Sequence, residues 1–342
     1  MDLINRTPFS PFVFEALDIE GDRSTVIALR GTFRIQSQSV LIPIANQRPC
    51  IIADRYSDKP GCSVLISESD LVPIKHKIDV FINGNAVASA GVAKQQWECG
   101  LSIGGNTRLS LSVTGPRQWV YGMLTGWQLS RPDSTKIVSL DYSNCFGGVV
   151  VEPGGTRLSF EENPIGCGFT TRSLRRSNRE SVRAPQIETP SEPINEIERN
   201  YRPVCFAPIP KAWPQRLKMA GTYDDNWIKD RWPNWPHDFD ATYFNAAHPD
   251  LQLDDLNPDE KFLISGMHEN GQVTFRLPAY EIFAEVRDEF GTSDVVMHCD
   301  TVDIDMSKME VGLVWRGVDL RMAPVTRVSL SISGEGVRFH AG

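Results

Sequence analysis

The carboxylates Asp300, Asp303 and Asp305 come closest to chemistry by type and spacing, because such a cluster can hold a metal ion or divide acid and base roles. In an extended strand Asp303 and Asp305 share a face with Thr301, while Val302, Ile304 and Met306 take the other. That alternation predicts an ordinary solvated strand face leading into a hairpin, with no catalytic or calcium role. A second pair, Asp238 and Asp240, lies among Trp and Tyr side chains that could stack on sugar rings. These two pairs keep open one reading, a β-sandwich hydrolase or carbohydrate-binding protein.

The other reactive side chains are scattered. His76, His237, His248, His268, His298 and His340 include no pair at the three- or four-residue spacing that sets two imidazoles on one helical face, and His76 reads as a solvated loop residue. Seven cysteines, an odd number without a C-x-x-C pair, predict reduced thiols. No G-x-S-x-G elbow marks a nucleophilic serine. Two Gly-Gly pairs within 144–169 lack the Lys and Ser or Thr of a phosphate loop and the third glycine of a dinucleotide site, so they predict tight turns with positive φ. The expectation is therefore no catalytic residue, no cofactor and no metal.

Strands must position whatever function there is. Leu109, Leu111 and Val113 alternate with Ser110 and Ser112; Val273, Phe275 and Leu277 alternate with Thr274 and Arg276; Val328, Leu330 and Ile332 alternate with serines. A further strand is predicted over 78–82. Turn signals at Gly21 and Asp22, Asn83 and Gly84, Gly104 to Asn106, and Asn270 and Gly271 cut these runs into short antiparallel strands. The 23 prolines leave little room for long helices.

At 342 residues the chain can build two cores. The predicted fold is mostly β: two antiparallel β-sandwich-like halves, 1–169 and 201–342, with few short helices. Between them, 170–200 is polar and free of aromatics, and reads as a flexible linker or loop. Its first half carries Arg172, Arg175, Arg176, Arg179 and Arg183, a local basic patch able to touch an acidic partner.

The densest segment is 221–252, where Trp227, Trp232, Trp235, Phe239, Tyr243 and Phe244 crowd together with Pro233 and Pro236. Asp224 or Asp225 can cap a short helix that Pro233 must end, giving a proline-stiffened clasp. Its rings must be buried, either inside this chain or against another. One reading is a staple joining the two halves, with Asp238 and Asp240 bonding loop amides. The other is a docking surface, and those six aromatics are the candidate partner-binding residues.

Net charge is −8, which disfavours nucleic acid and acidic membrane surfaces. No run of ~18 apolar residues occurs, so no membrane span is expected. Asp2, Pro8, Pro11 and Glu15 interrupt any leader-like run near the start, and the expected location is the cytoplasm.

Taken in order, several segments resemble the bacterial family called domain of unknown function 2169. They are 52–86 (IADRYSDKPGCSVLISESDLVPIKHKIDVFINGNA), 162–169 (ENPIGCGF), 221–252 (GTYDDNWIKDRWPNWPHDFDATYFNAAHPDLQ) and 300–317 (DTVDIDMSKMEVGLVWRG). The resemblance implies a non-enzymatic adaptor or chaperone of type VI secretion, which binds an effector and helps mount it on the VgrG spike, often through a PAAR-repeat tip. A structural component of the spike itself is a third possibility. The oligomeric state does not follow from the sequence.

Overall fold

The computed structural model describes residues 1–334 apart from Ile19, Ser37, Asn178 and Met322; His340 of the sequence reading lies outside the described residues. The chain is mostly β, with few short helices and several sheets. One large sheet runs in the order Asp2–Asn5, Arg327–Ser333, Glu281–Arg287, Thr292–Asp305, Glu310–Asp319, Arg23–Arg34, Ser10–Leu17, with Ile78–Asn83 added in parallel to the second half of Thr292–Asp305. A second sheet runs Ile187–Glu188, Asn106–Thr114, Gln96–Ile103, Lys261–Ser265, Gln272–Arg276, Ser39–Val40.

Both large sheets draw strands from either side of 170–200, so that segment divides the sequence without dividing the sheets. One contiguous core joins them, with Ile27, Leu29, Val302, Ile304, Val311 and Leu313 from the first and Leu101, Leu111, Phe262 and Phe275 from the second. The strand Arg23–Arg34 is buried on both faces, which explains its near-continuous apolar run and also means that its one interior charge, Arg30, must find partners.

The expected flexible linker is corrected in its second half. Ala184, Gln186, Ile187, Glu188 and Ile194 are buried, and Ile187–Glu188 pairs with Asn106–Thr114. Polar composition concealed this because the polar groups are satisfied internally. Gln186 Nε2 donates to Thr114 O at 3.1 Å, and Arg117 Nη2 donates to Glu188 Oε2 at 2.6 Å.

The long strand Thr292–Asp305 contains a bulge at Asp300, where pairing with Glu310–Asp319 slips by one residue. Apolar positions change parity there. Val295 and Met297 are buried before it, Val302 and Ile304 after it. The extra residue keeps both sets on the core side and leaves Asp300 buried and turned to a partner of its own.

Candidate functional site

The clasp begins as predicted. The helix Asp225–Asp230 is capped by Asp224, whose carboxylate accepts from Asn226 N and Trp227 N, and Pro233 follows it. Asp238 accepts from Thr222 N at 2.9 Å and from Thr222 Oγ1, and these bonds hold its carboxyl below the usual range. Asp240 likewise caps the turn Ala241–Phe244 through Thr242 N at 2.9 Å. Both acids bond loop amides, as the staple reading expects.

The structure separates the six candidate aromatics. Phe239 and Phe244 are buried, and Trp235 and Tyr243 pack against them together with Val72 and Ala241. Trp235 stacks on Phe239 at 4.4 Å and meets Phe244 edge-on at 5.8 Å. Phe239 and Phe244 are thus core residues, and their rings present no docking surface. Trp227 is half-buried, with its indole N–H donating to Asn234 O at 2.9 Å and its ring meeting Tyr223 at 4.7 Å. Trp232 is 68% exposed, and Tyr223 and Ile228 of the same segment are exposed too. The outward apolar surface of the clasp is therefore Tyr223, Ile228 and Trp232, of which Tyr223 and Ile228 were not among the six.

Beneath the rooted half lies a buried charge network that sequence reading missed. Arg216, only 2% exposed, donates to Tyr243 O at 2.9 and 2.6 Å, to Ile209 O at 2.8 Å and to Glu68 at 2.6 Å. Asp79 accepts from Asn245 Nδ2, Ala246 N and Ala247 N, and from Lys75 Nζ at 2.7 Å. Two buried side chains thus grip the clasp backbone directly, one of them from the sheet strand Ile78–Asn83. Burial opposes ionisation of Glu68, but Arg216, Lys75 and Lys211 outweigh it and hold its carboxyl below the usual range. Burial also opposes the charge on Lys75, and Asp79 with Glu68 raises its pKa nonetheless.

A second group follows on the same sheet face. Arg30 spans Asp70 at 3.0 Å and Asp303 at 2.7 Å, and Arg316 donates to Asp300 at 2.6 Å and to the carbonyls of Asp70 and Val72. A β-carbon at Gly312 would lie 2.5 Å from Arg30 Nη2, so glycine there lets the guanidinium cross the strand. Burial lowers the pKa of Arg30, yet the two carboxylates and their hydrogen bonds leave it above its ordinary value. Asp70 is pushed up, first by burial and then by Asp303 across the shared guanidinium, with Arg30 offsetting only part.

The reading of Asp303 and Asp305 as an ordinary solvated face is therefore corrected. Asp303 is mostly buried in an ion pair, and Asp305 caps the next turn through Ser307 N and Lys308 N while pairing with Lys308. Arg30, Asp303, Asp305, Arg48 and Tyr56 line an open cleft of about 860 Å³ on this face. All four acids of the hydrolase reading are engaged by amides or cations.

The remaining motifs are architectural. Of the two Gly-Gly pairs, 154–155 turns the chain between Val149–Val151 and Arg157–Ser159 with Gly155 at φ 83°, as the tight-turn reading expects, whereas Gly147, Gly148 and Gly168, at φ of 148°, 111° and 91°, lie in or beside the short parallel pair Phe146–Gly147 and Cys167–Gly168. A β-carbon at Gly147 would lie 2.1 Å from Asn163 O. Asn163 is fully buried and donates to Tyr142 O and Phe146 O, pinning the loop. All seven cysteines are free thiols, and His76 is exposed. Among the described residues no helix is long and apolar enough to cross a membrane, and no group of three His, Cys, Asp or Glu side chains could hold a metal ion.

Residues 20–316 match the model of a family described as an uncharacterized protein conserved in bacteria, DUF2169. Neither the curated proteins nor the solved structures provide a match.

Proposed function

The chain belongs to the DUF2169 family of bacterial proteins, and from that premise we propose that it is a non-enzymatic adaptor that docks a partner protein through the outward half of its clasp. The observation that carries the docking role is the contrast within one short segment. Trp232, Tyr223 and Ile228 face outward from a clasp whose other half is packed in a core and gripped by Arg216 and Asp79. Rigid apolar anchors on a fixed base lose little entropy on binding, which is what interface hot spots need.

The identity of the partner rests on the resemblance of 52–86, 162–169, 221–252 and 300–317. On that reading the partner is a type VI secretion effector, PAAR-tipped, which the adaptor holds in the bacterial cytoplasm and delivers to the VgrG spike. Affinity capture of the tagged protein from its native cells, with mass spectrometry at moderate salt, tests it. Recovery of a PAAR-tipped toxin or a VgrG protein is expected. Recovery of neither, from cells expressing the secretion system, would sink the reading.

A further inference from the structure

The basic patch and a neighbouring hairpin find no use in the clasp. The strands Gln118–Gly122 and Gly126–Leu129 form that hairpin, and Val182–Arg183 adds a third strand by pairing with Gln118 and Trp119. Its base is fixed. Trp119 is buried with Phe146, Ala184 and Tyr201, and Tyr121 meets Trp127 edge-on at 5.5 Å. At its tip Met123 is 90% exposed and Leu124 fully exposed. A rooted hairpin that holds two adjacent apolar side chains in water stands out among surface positions, where single exposed apolar residues are ordinary.

Arg179 and the arginine-bearing stretch before it adjoin this hairpin: Leu174 and Arg175 line one pocket with Trp127 and Val182. Arg179 lays its guanidinium over the Tyr121 ring at 4.5 Å, and the helix Arg172–Ser177 precedes it. Arg172 and Arg176 are exposed at i, i+4 on that helix and make no ion pair among the described residues. Like charges at that spacing repel, although Arg176 sits in the last turn, where the helix dipole favours a cation. The patch is basic on a chain of net charge −8, which marks it as locally complementary to an acidic surface.

We propose that Met123 and Leu124, with Arg172, Arg176 and Arg179, form a second docking surface for a protein partner that presents an apolar socket rimmed by carboxylates. Magnitudes favour a protein over a lipid surface. Two side chains offer little apolar area to bury. A single myristoyl chain buries far more and gives only marginal membrane binding. The net charge of the whole chain adds repulsion from an anionic leaflet. The surface is built on a different core cluster from the clasp, so it stands or falls separately from the docking role of Trp232.

The test is a methyl NMR titration of the full chain, labelled at Met and Leu methyl groups, with a synthetic peptide alternating Glu and Leu as the probe. The Met123 and Leu124 methyl signals should shift and saturate, and affinity should fall about tenfold on going from low to physiological salt. The Arg172→Glu, Arg176→Glu double variant, shown to be folded by circular dichroism, should lose the shifts, while Trp232→Ala should keep them. Absence of shifts at Met123 and Leu124, or shifts indifferent to charge reversal, would overturn the proposal. So would cosedimentation with phosphatidylserine-rich vesicles in place of peptide binding, which would assign the surface to a membrane.

Discussion

The two halves of the clasp have nearly the same density of aromatic rings and opposite situations. From Trp235 to Ala247 the rings share a core with Val72, and the backbone is held by Arg216 and Asp79. From Thr222 to Trp232 the chain is held mainly by its own caps, Asp224 on the helix and Asp238 on Thr222, with Trp227 bonded to Asn234. The difference teaches that aromatic density does not by itself assign a ring to a core or to an interface. Whether distant buried charges grip the backbone beneath it does.

The largest effect that would break this comparison is loss of the root. Arg216→Ala removes the hydrogen-bonded partner of Glu68, leaving it only Lys75 and Lys211, and strips the Tyr243 and Ile209 carbonyls of their donor, and should cost about 3–5 kcal/mol in chemical denaturation. Arg216→Lys keeps the charge but not the fork, and should recover only part. An Arg216→Ala loss below about 1 kcal/mol would mean the clasp is not rooted there. Phe239→Ala should cost about 3 kcal/mol by opening a cavity among Trp235, Tyr243 and Phe244.

Glu68→Gln sharpens the account of the root through pH. The Glu68 carboxyl is held below its ordinary 4.5, so its contribution is fully present above that value and is lost as pH falls through the lower folded value. The variant should lose about 2 kcal/mol at neutral pH, from the weakened charge-assisted bond to Arg216. The gap to the parent should close as the medium is acidified below about pH 4.5. A gap that widens on acidification would reverse the assignment.

The outward half should respond weakly in stability. Asp224→Ala should cost about 1 kcal/mol, the ordinary value of a helix cap. Trp232→Ala should change stability by less than about 0.5 kcal/mol, because its ring is mostly in water. A large stability loss at Trp232 would erase the distinction between the two halves.

Much of the local structure was legible in the sequence because local chemistry sets it. The Asp224 cap, the glycine turns at Gly104, Gly105 and Gly271, and the alternation in Asn106–Thr114 and Arg327–Ser333 depend on neighbours a few residues away. The charge network was not legible, because its partners meet only in the fold: Arg216 and Glu68 are 148 positions apart, and Arg30 and Asp303 are 273. Two signals pointed toward it. Arg30 and Arg316 each interrupt an apolar strand and each precede a glycine, and a lone charge in such a run must be paired. The parity change from Val295 and Met297 to Val302 and Ile304 required an inserted residue, and Asp300 is that residue.

Which aromatics sit inside the clasp could not be read from spacing either, since Trp232 and Trp235 differ by three positions and point to opposite fates. Only the packing of Phe239 and Phe244 under Trp235 decides it.

The central claim is that a partner docks on the outward half of a rooted clasp. It is tested most directly by titrating the effector or spike protein captured from native cells against the parent and Trp232→Ala proteins in a calorimeter. The account predicts that Trp232→Ala weakens binding by about 30-fold, near 2 kcal/mol, with the melting temperature unchanged. Equal affinity for the two folded proteins would contradict it.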